Sequence, residues 1–215
     1  MADTAFSAED FAFMDHALAL GRAMLGRTAP NPAVGAVVVK DGMVLGAGAT
    51  GSGGRPHAEA IALAQAGDRA RGATVYVTLE PCAHDSHRGP HCSGALVAAG
   101  IARCVVALED PDPRTAGAGI ARLRDAGIAV ACGCRAEVAR ADHAGFLTRL
   151  ATGRPLVAAH PDGTGFDAPF VLGFQESFEA ALDRMGAEGL TRVWVSASSP
   201  LALALAARGL LDGGR

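Results

Sequence analysis

The sequence predicts an α/β fold, a three-layer α/β/α sandwich around a mixed central sheet. Three observations carry this. Short apolar or β-branched runs alternate with segments of helical apolar spacing over residues 10–150. The first two runs, Val34–Val39 and Met43–Gly48, flank Asp41-Gly42, a dipeptide suited to a tight hairpin turn. A third run, Ala73–Leu79, delivers Glu80-Pro81-Cys82 at its carboxyl end, where α/β sheets place their ligands.

The elements follow in order. Ser7 with Asp10 three residues on resembles a capping box, with Asp in place of Glu. Phe11, Met14, Leu18 and Met24 continue a helix to about Gly26, and Pro30-Asn31-Pro32 breaks the chain. After the hairpin, residues 48–56 form a Gly-rich loop, and His57 opens a helix through Ala66. Cys82 and Cys92 are both expected at helix starts, where the dipole and a metal favour thiolate. Residues 92–100 read as a helix, 104–108 as a strand, 110–119 as a Pro/Gly-rich loop, 120–126 as a helix and 128–132 as a strand. Ala136–Leu150 reads as one further helix. After Gly153 the character changes. Residues 155–173 are loop-rich with one apolar run at Leu156–Ala159, followed by a helix at 176–185, a strand at 192–197 and a helix at 201–210.

Composition narrows the function classes. The chain has 215 residues and a formal charge of −3, and its single lysine is Lys40. No basic stripe suits a nucleic-acid surface, so a small-molecule substrate is expected. No apolar run approaches ~18 residues, so no membrane span is expected. The acidic N-terminus lacks the basic start of a signal peptide, and five cysteines, an odd number, suit a reducing cytoplasm better than a disulfide framework.

His57-Ala58-Glu59, Pro81-Cys82 and Cys92 carry the chemistry. Zinc accepts imidazole nitrogen and thiolate sulfur, and a catalytic site keeps one coordination position for water. Two thiolates and a neutral imidazole balance the ion's charge. A carboxylate two residues past the histidine, not itself a ligand, is the general acid/base of zinc nucleobase deaminases. Glu59 takes that role, with His57, Cys82 and Cys92 as ligands of one Zn²⁺. The competing reading is a closed structural site, in which His84, His87 or His91 supplies a fourth ligand. Cys104 reads as packing, Cys132-x-Cys134 as packing before a metal or redox pair, and Gly51–Gly54 as a rim of the site before a phosphate loop.

These motifs resemble a known family. Pro30-Asn31-Pro32-Ala33-Val34-Gly35-Ala36-Val37, His57-Ala58-Glu59-Ala60, Thr78-Leu79-Glu80-Pro81-Cys82-Ala83-His84 and Asp110-Pro111-Asp112-Pro113 with Gly117 and Gly119 run in that family's order. The chain resembles the pyrimidine deaminase of riboflavin biosynthesis, a member of the cytidine deaminase-like superfamily and the N-terminal half of a bifunctional deaminase–reductase. The resemblance implies hydrolytic deamination of 2,5-diamino-6-(5-phosphoribosylamino)pyrimidin-4(3H)-one, a phosphorylated pyrimidine, by a homo-oligomer. It implies substrate contacts from Asn31, His84, Arg88, Asp110 and Asp112, with Asn31 on the ring and Arg88 suited to phosphate. It places a deaminase domain at 1–150 and a truncated, inactive reductase-like α/β remnant at 151–215, so NADP is not expected.

The chain departs from the family in three places. The Cys82–Cys92 gap is one residue longer, with His91 where a proline is common, and no histidine stands near Thr50. The lysine-containing strand and most of the nucleotide-binding segment of the reductase are missing. Two other readings stay open: a deaminase of another nucleobase or nucleoside, and a non-catalytic binding protein on the same fold.

Overall fold

A computed structural model describes residues 6–84 and 91–212. It divides into two units. The first holds residues 1–23, 33–51 and 55–142, and the second holds 24–32, 52–54 and 143–215.

In the first unit, Ser7 caps helix α1 (Ala8–Arg22): its hydroxyl accepts the Asp10 N–H, and the Asp10 carboxylate accepts the Ser7 N–H. Strands β1 (Gly35–Lys40) and β2 (Met43–Ala49) form the expected hairpin. Asp41 and Gly42 both have positive φ, which suits the twist of a two-residue turn. Then come α2 (Ala58–Ala66), β3 (Thr74–Val77), α3 (Cys92–Ala99), β4 (Arg103–Val106), α4 (Ala118–Asp125), β5 (Ala129–Cys132) and α5 (Ala136–Asp142). The sheet order is β2-β1-β3-β4-β5. β1 pairs antiparallel with β2 and β3, whereas β3–β4 and β4–β5 are parallel, so the sheet is mixed as expected. Helices α2, α3 and α4 pack in succession, and α1 packs with α5, giving two helical layers.

Buried valines fill the sheet: Val37, Val38, Val75, Val77, Val105 and Val106 are fully enclosed. β1, β3 and β4 therefore read as apolar runs rather than alternating ones. Helix α2 lies directly on β2. A Cβ at Gly46 would stand 2.1 Å from the Ala62 carbonyl oxygen, so only glycine permits that approach. This close approach seats α2, which carries Glu59 in its first turn, against the sheet.

The expected single helix over 136–150 is a correction. It is two helices, α5 ending at Asp142 and α6 (Ala144–Thr152) beginning after His143. His143 has ψ near 2°, which interrupts the helical ladder. α5 counts with the first unit and α6 with the second.

The second unit adds β6 (Leu156–Ala159), β7 (Ala168–Pro169), α7 (Phe178–Ala187), β8 (Arg192–Val195) and α8 (Pro200–Ala206). Its three strands run parallel in the order β6-β8-β7. Val157, Leu182, Met185, Val193 and Leu205 lie at its core. Among the described residues no helix is long and apolar enough to cross a membrane.

Candidate active site and metal centre

His57 is the N-cap of α2 with extended backbone, and its side chain makes no capping bond, so the imidazole is available for other work. Glu59, in the first turn, is 4% exposed. Cys92 opens α3, as expected. Cys82 does not open a helix, which corrects the expectation: it follows β3 as non-helical chain, and the next helix is the one that Cys92 begins. The non-helical segment after β3, which ends at Val77, carries it.

The three ligand residues converge. His57 Nδ1 lies 3.2 Å from Cys92 Sγ and 3.6 Å from Cys82 Sγ. All three ligand atoms fall within 4.8 Å of one another. Nitrogen and sulfur bound at about 2.1 and 2.3 Å to a tetrahedral ion stand about 3.5 Å apart, so the residues fit zinc. Among the described residues this group contains no fourth ligand, the arrangement of an open site. His91 is engaged otherwise: as N-cap of α3 its Nδ1 accepts the Gly94 N–H at 2.7 Å. His84 stands outside the group, and its buried Nδ1 has no hydrogen-bond partner among the described residues. His87 and Arg88 lie outside the described residues.

The electrostatics follow from this crowding. The hydrogen bond from Cys92 pulls the Cys82 thiol down to about 4. The same pairing, with burial, pushes Cys92 up. His57 is raised, first by its hydrogen bond with Cys82. Burial raises Glu59. Zinc ligation requires both cysteines as thiolates and His57 neutral, and so releases protons.

Neighbouring groups hold the cysteine segments together. The Cys92 N–H donates to Cys82 Sγ at 3.2 Å, and the Ser93 hydroxyl donates to the Cys82 carbonyl at 2.9 Å. Arg122 on α4 donates to the Ala83 carbonyl and to Ser93 Oγ, both at 3.0 Å. Sequence reasoning missed Ser93 and Arg122, because their partners are distant in the chain.

Asp110 is half-buried and Asp112 is buried. Burial pushes the Asp110 carboxyl up to about 6. Asp112 pairs with Arg114, which holds its carboxyl below the usual range. Asn31 belongs to the loop 24–32 of the second unit, where its carbonyl accepts the Thr28 hydroxyl and its side chain stands against Gly54. Cys104 and Cys134 are fully buried packing residues, and Cys132 is partly buried.

Fold and site together define the class of zinc-dependent deaminases. Residues 7–108 match the family described as the cytidine and deoxycytidylate deaminase zinc-binding region. The chain is 48% identical over 149 residues to the riboflavin biosynthesis protein RibD of Escherichia coli K12, covering 69% of this chain and 40% of that protein. It is 41% identical over 146 residues to the diaminohydroxyphosphoribosylamino-pyrimidine deaminase of Buchnera aphidicola, covering 68% of this chain and 99% of that one. Among solved structures, Acinetobacter baumannii RibD superposes with a TM-score of 0.66 at 46% identity, over 72% of this chain and 44% of that one. The chain belongs to the diaminohydroxyphosphoribosylaminopyrimidine deaminase family of riboflavin biosynthesis. It spans about two-fifths of the length of the RibD relatives.

Proposed function

We propose that the chain hydrolyses 2,5-diamino-6-(5-phosphoribosylamino)pyrimidin-4(3H)-one, exchanging a ring amine for a carbonyl oxygen and releasing ammonia. The observation that carries this is the three-ligand cluster of His57, Cys82 and Cys92 with the buried carboxylate of Glu59 beside it. Zinc held there supplies Lewis acidity that brings the pKa of a water toward ~7. Glu59 accepts one proton of that water and donates it to the ring nitrogen beside the attacked carbon, then takes the remaining hydroxyl proton and passes it to the departing amine, which leaves as ammonia. Its burial supports the shuttle: a carboxylate whose pKa is raised by desolvation takes up the water's proton more readily. Glu59 lies in the first turn of α2, two residues after His57, so one helix start carries both the acid/base group and a ligand.

The family motifs supply the remaining roles. Asn31 contacts the ring, His84 offers its Nδ1, Arg88 takes the phosphate, and Asp110 and Asp112 face the ribose side. The segment 151–215 is a reductase remnant without reductase activity, and the protein acts as a cytoplasmic homo-oligomer.

Ammonia release from the phosphoribosylaminopyrimidine, measured against cytidine and guanine, tests the reading. The expected result is turnover of the first substrate with about one zinc per chain. Turnover of cytidine or guanine in its place overturns the substrate. One zinc per chain with no turnover on any pyrimidine favours a non-catalytic binding protein.

A further inference from the structure

Glu80 stands two residues before Cys82 and is 4% exposed. Its carboxylate accepts four recorded hydrogen bonds, all from backbone amides of one segment. Oε2 takes the N–H groups of Asp110 at 3.3 Å and Gly117 at 3.0 Å. Oε1 takes those of Gly119 at 3.0 Å and Ile120 at 3.1 Å. The first N–H groups of a helix lack intrahelical partners and favour an anion. The N-cap of α4 is Gly117, which has no side chain to satisfy them. Glu80 caps the helix from another element.

The segment after β3 and the helix start also meet backbone to backbone. A Cβ at Gly119 would fall 2.0 Å from the Pro81 carbonyl oxygen. From Glu80 a series of carboxylates runs along the loop. Asp110 Oδ1 accepts the Asp112 N–H at 2.9 Å, and Asp112 Oδ1 accepts the Arg114 N–H at 3.0 Å. The Asp112 carboxylate then pairs with the Arg114 guanidinium. The segment that carries Cys82 thus fixes the loop that carries Asp110 and Asp112.

We propose that Glu80 is a positioning residue for substrate affinity, holding the Asp110–Asp112 loop in register with the segment after β3 that carries Cys82. This rests on the reading of Asp110 and Asp112 as substrate contacts. Glu80 touches neither metal nor substrate and acts through that loop. A glutamine has nearly the same shape but turns an amide N–H₂ toward amides that need an acceptor.

The zinc-loaded full chain and its Glu80→Gln variant provide the test. The expected outcome is unchanged zinc content, KM raised about tenfold or more and kcat within about threefold, a split that follows from lost binding common to ground and transition states. Substrate affinity by calorimetry in the Glu59→Gln background falls in parallel. In an Asp110→Ala background Glu80→Gln adds less than about twofold, because the side chain through which the loop would act on substrate is already gone. Glu80→Asp, which keeps the charge, gives a smaller rise and serves if the glutamine variant does not fold. Unchanged KM and affinity in both variants overturn the proposal, as does full multiplication of the two effects. Hydrogen exchange at residues 110–120 gives a substrate-independent arm. Faster exchange there, with α3 unchanged, supports the positioning role even if this pyrimidine is not the substrate, and unchanged protection overturns it.

Discussion

Glu59 and Glu80 are equally buried, at 4% exposure each, yet their surroundings differ in kind. Glu80 accepts four backbone amides, so its charge is spread over fixed donors. Glu59 sits in the first turn of α2 beside the cysteine pair, and burial raises its pKa. A carboxylate surrounded by amides is held in place and holds its partners. One that is desolvated and stands beside a metal-binding cluster can give and take a proton. Burial alone therefore does not mark a catalytic group.

The largest expected effect breaks the comparison at Glu59. Glu59→Gln keeps zinc but loses turnover by about 10²–10⁴-fold, the range of general acid/base help. Near-normal turnover with zinc bound removes Glu59 from the proton shuttle. The roughly tenfold rise in KM for Glu80→Gln is the contrasting middle case: binding weakens while the chemical step survives.

Asp10 sharpens the comparison away from the site. It is 4% exposed and accepts from Arg103, Tyr76 and the Ser7 amide. The Arg103 hydrogen bond holds its carboxyl well below the usual range. Asp10→Asn is expected to lower stability by about 2 kcal/mol at neutral pH, less than a fully buried pair because Arg103 is partly exposed, and to leave kcat unchanged. The folded pKa is depressed, so this stability is present above about pH 4, the unfolded value, and fades as acid protonates the folded state. Denaturant titrations at pH 7 and pH 3 check it. A difference between wild type and variant that does not shrink at pH 3 contradicts the assignment.

The smallest effect concerns Asp110, whose carboxyl is raised to about 6 by burial. Here the sign reverses. The group favours the fold below about pH 4, and that contribution is lost as pH rises through about 6. Asp110→Asn, which keeps an oxygen for the Asp112 amide, should gain melting temperature relative to wild type between pH 4 and pH 7. A constant gap across that range shows that Asp110 is not desolvated.

The site was legible where chemistry is local. His57-Ala58-Glu59 sets a candidate ligand and a candidate base two residues apart, and Cys82 and Cys92 stand out because few residue types bind zinc. The hairpin at Asp41-Gly42 was equally local, since a two-residue turn needs positive φ at both positions. Helix ends were less so. Ala136–Leu150 has continuous helical spacing, yet the chain breaks at His143, because packing and not propensity decides continuity over that length. Cys82 was expected at a helix start because proline favours that place, but the non-helical segment after β3 carries it.

By itself the sequence carried the α/β class, the zinc-dependent deaminase family and the candidate residues His57, Cys82, Cys92 and Glu59, since these readings depend on residue type and short spacing. Tertiary structure decided which buried carboxylate stands near the His57–Cys82–Cys92 cluster and which is taken up by backbone amides. It also showed that His91 caps a helix, and that Arg122 and Ser93 join the two cysteine segments. The physical reason is that an amide's partner is chosen by what folding brings within about 3 Å of it. Glu80 reaches amides 30 to 40 residues away, a distance at which no local pattern records the contact.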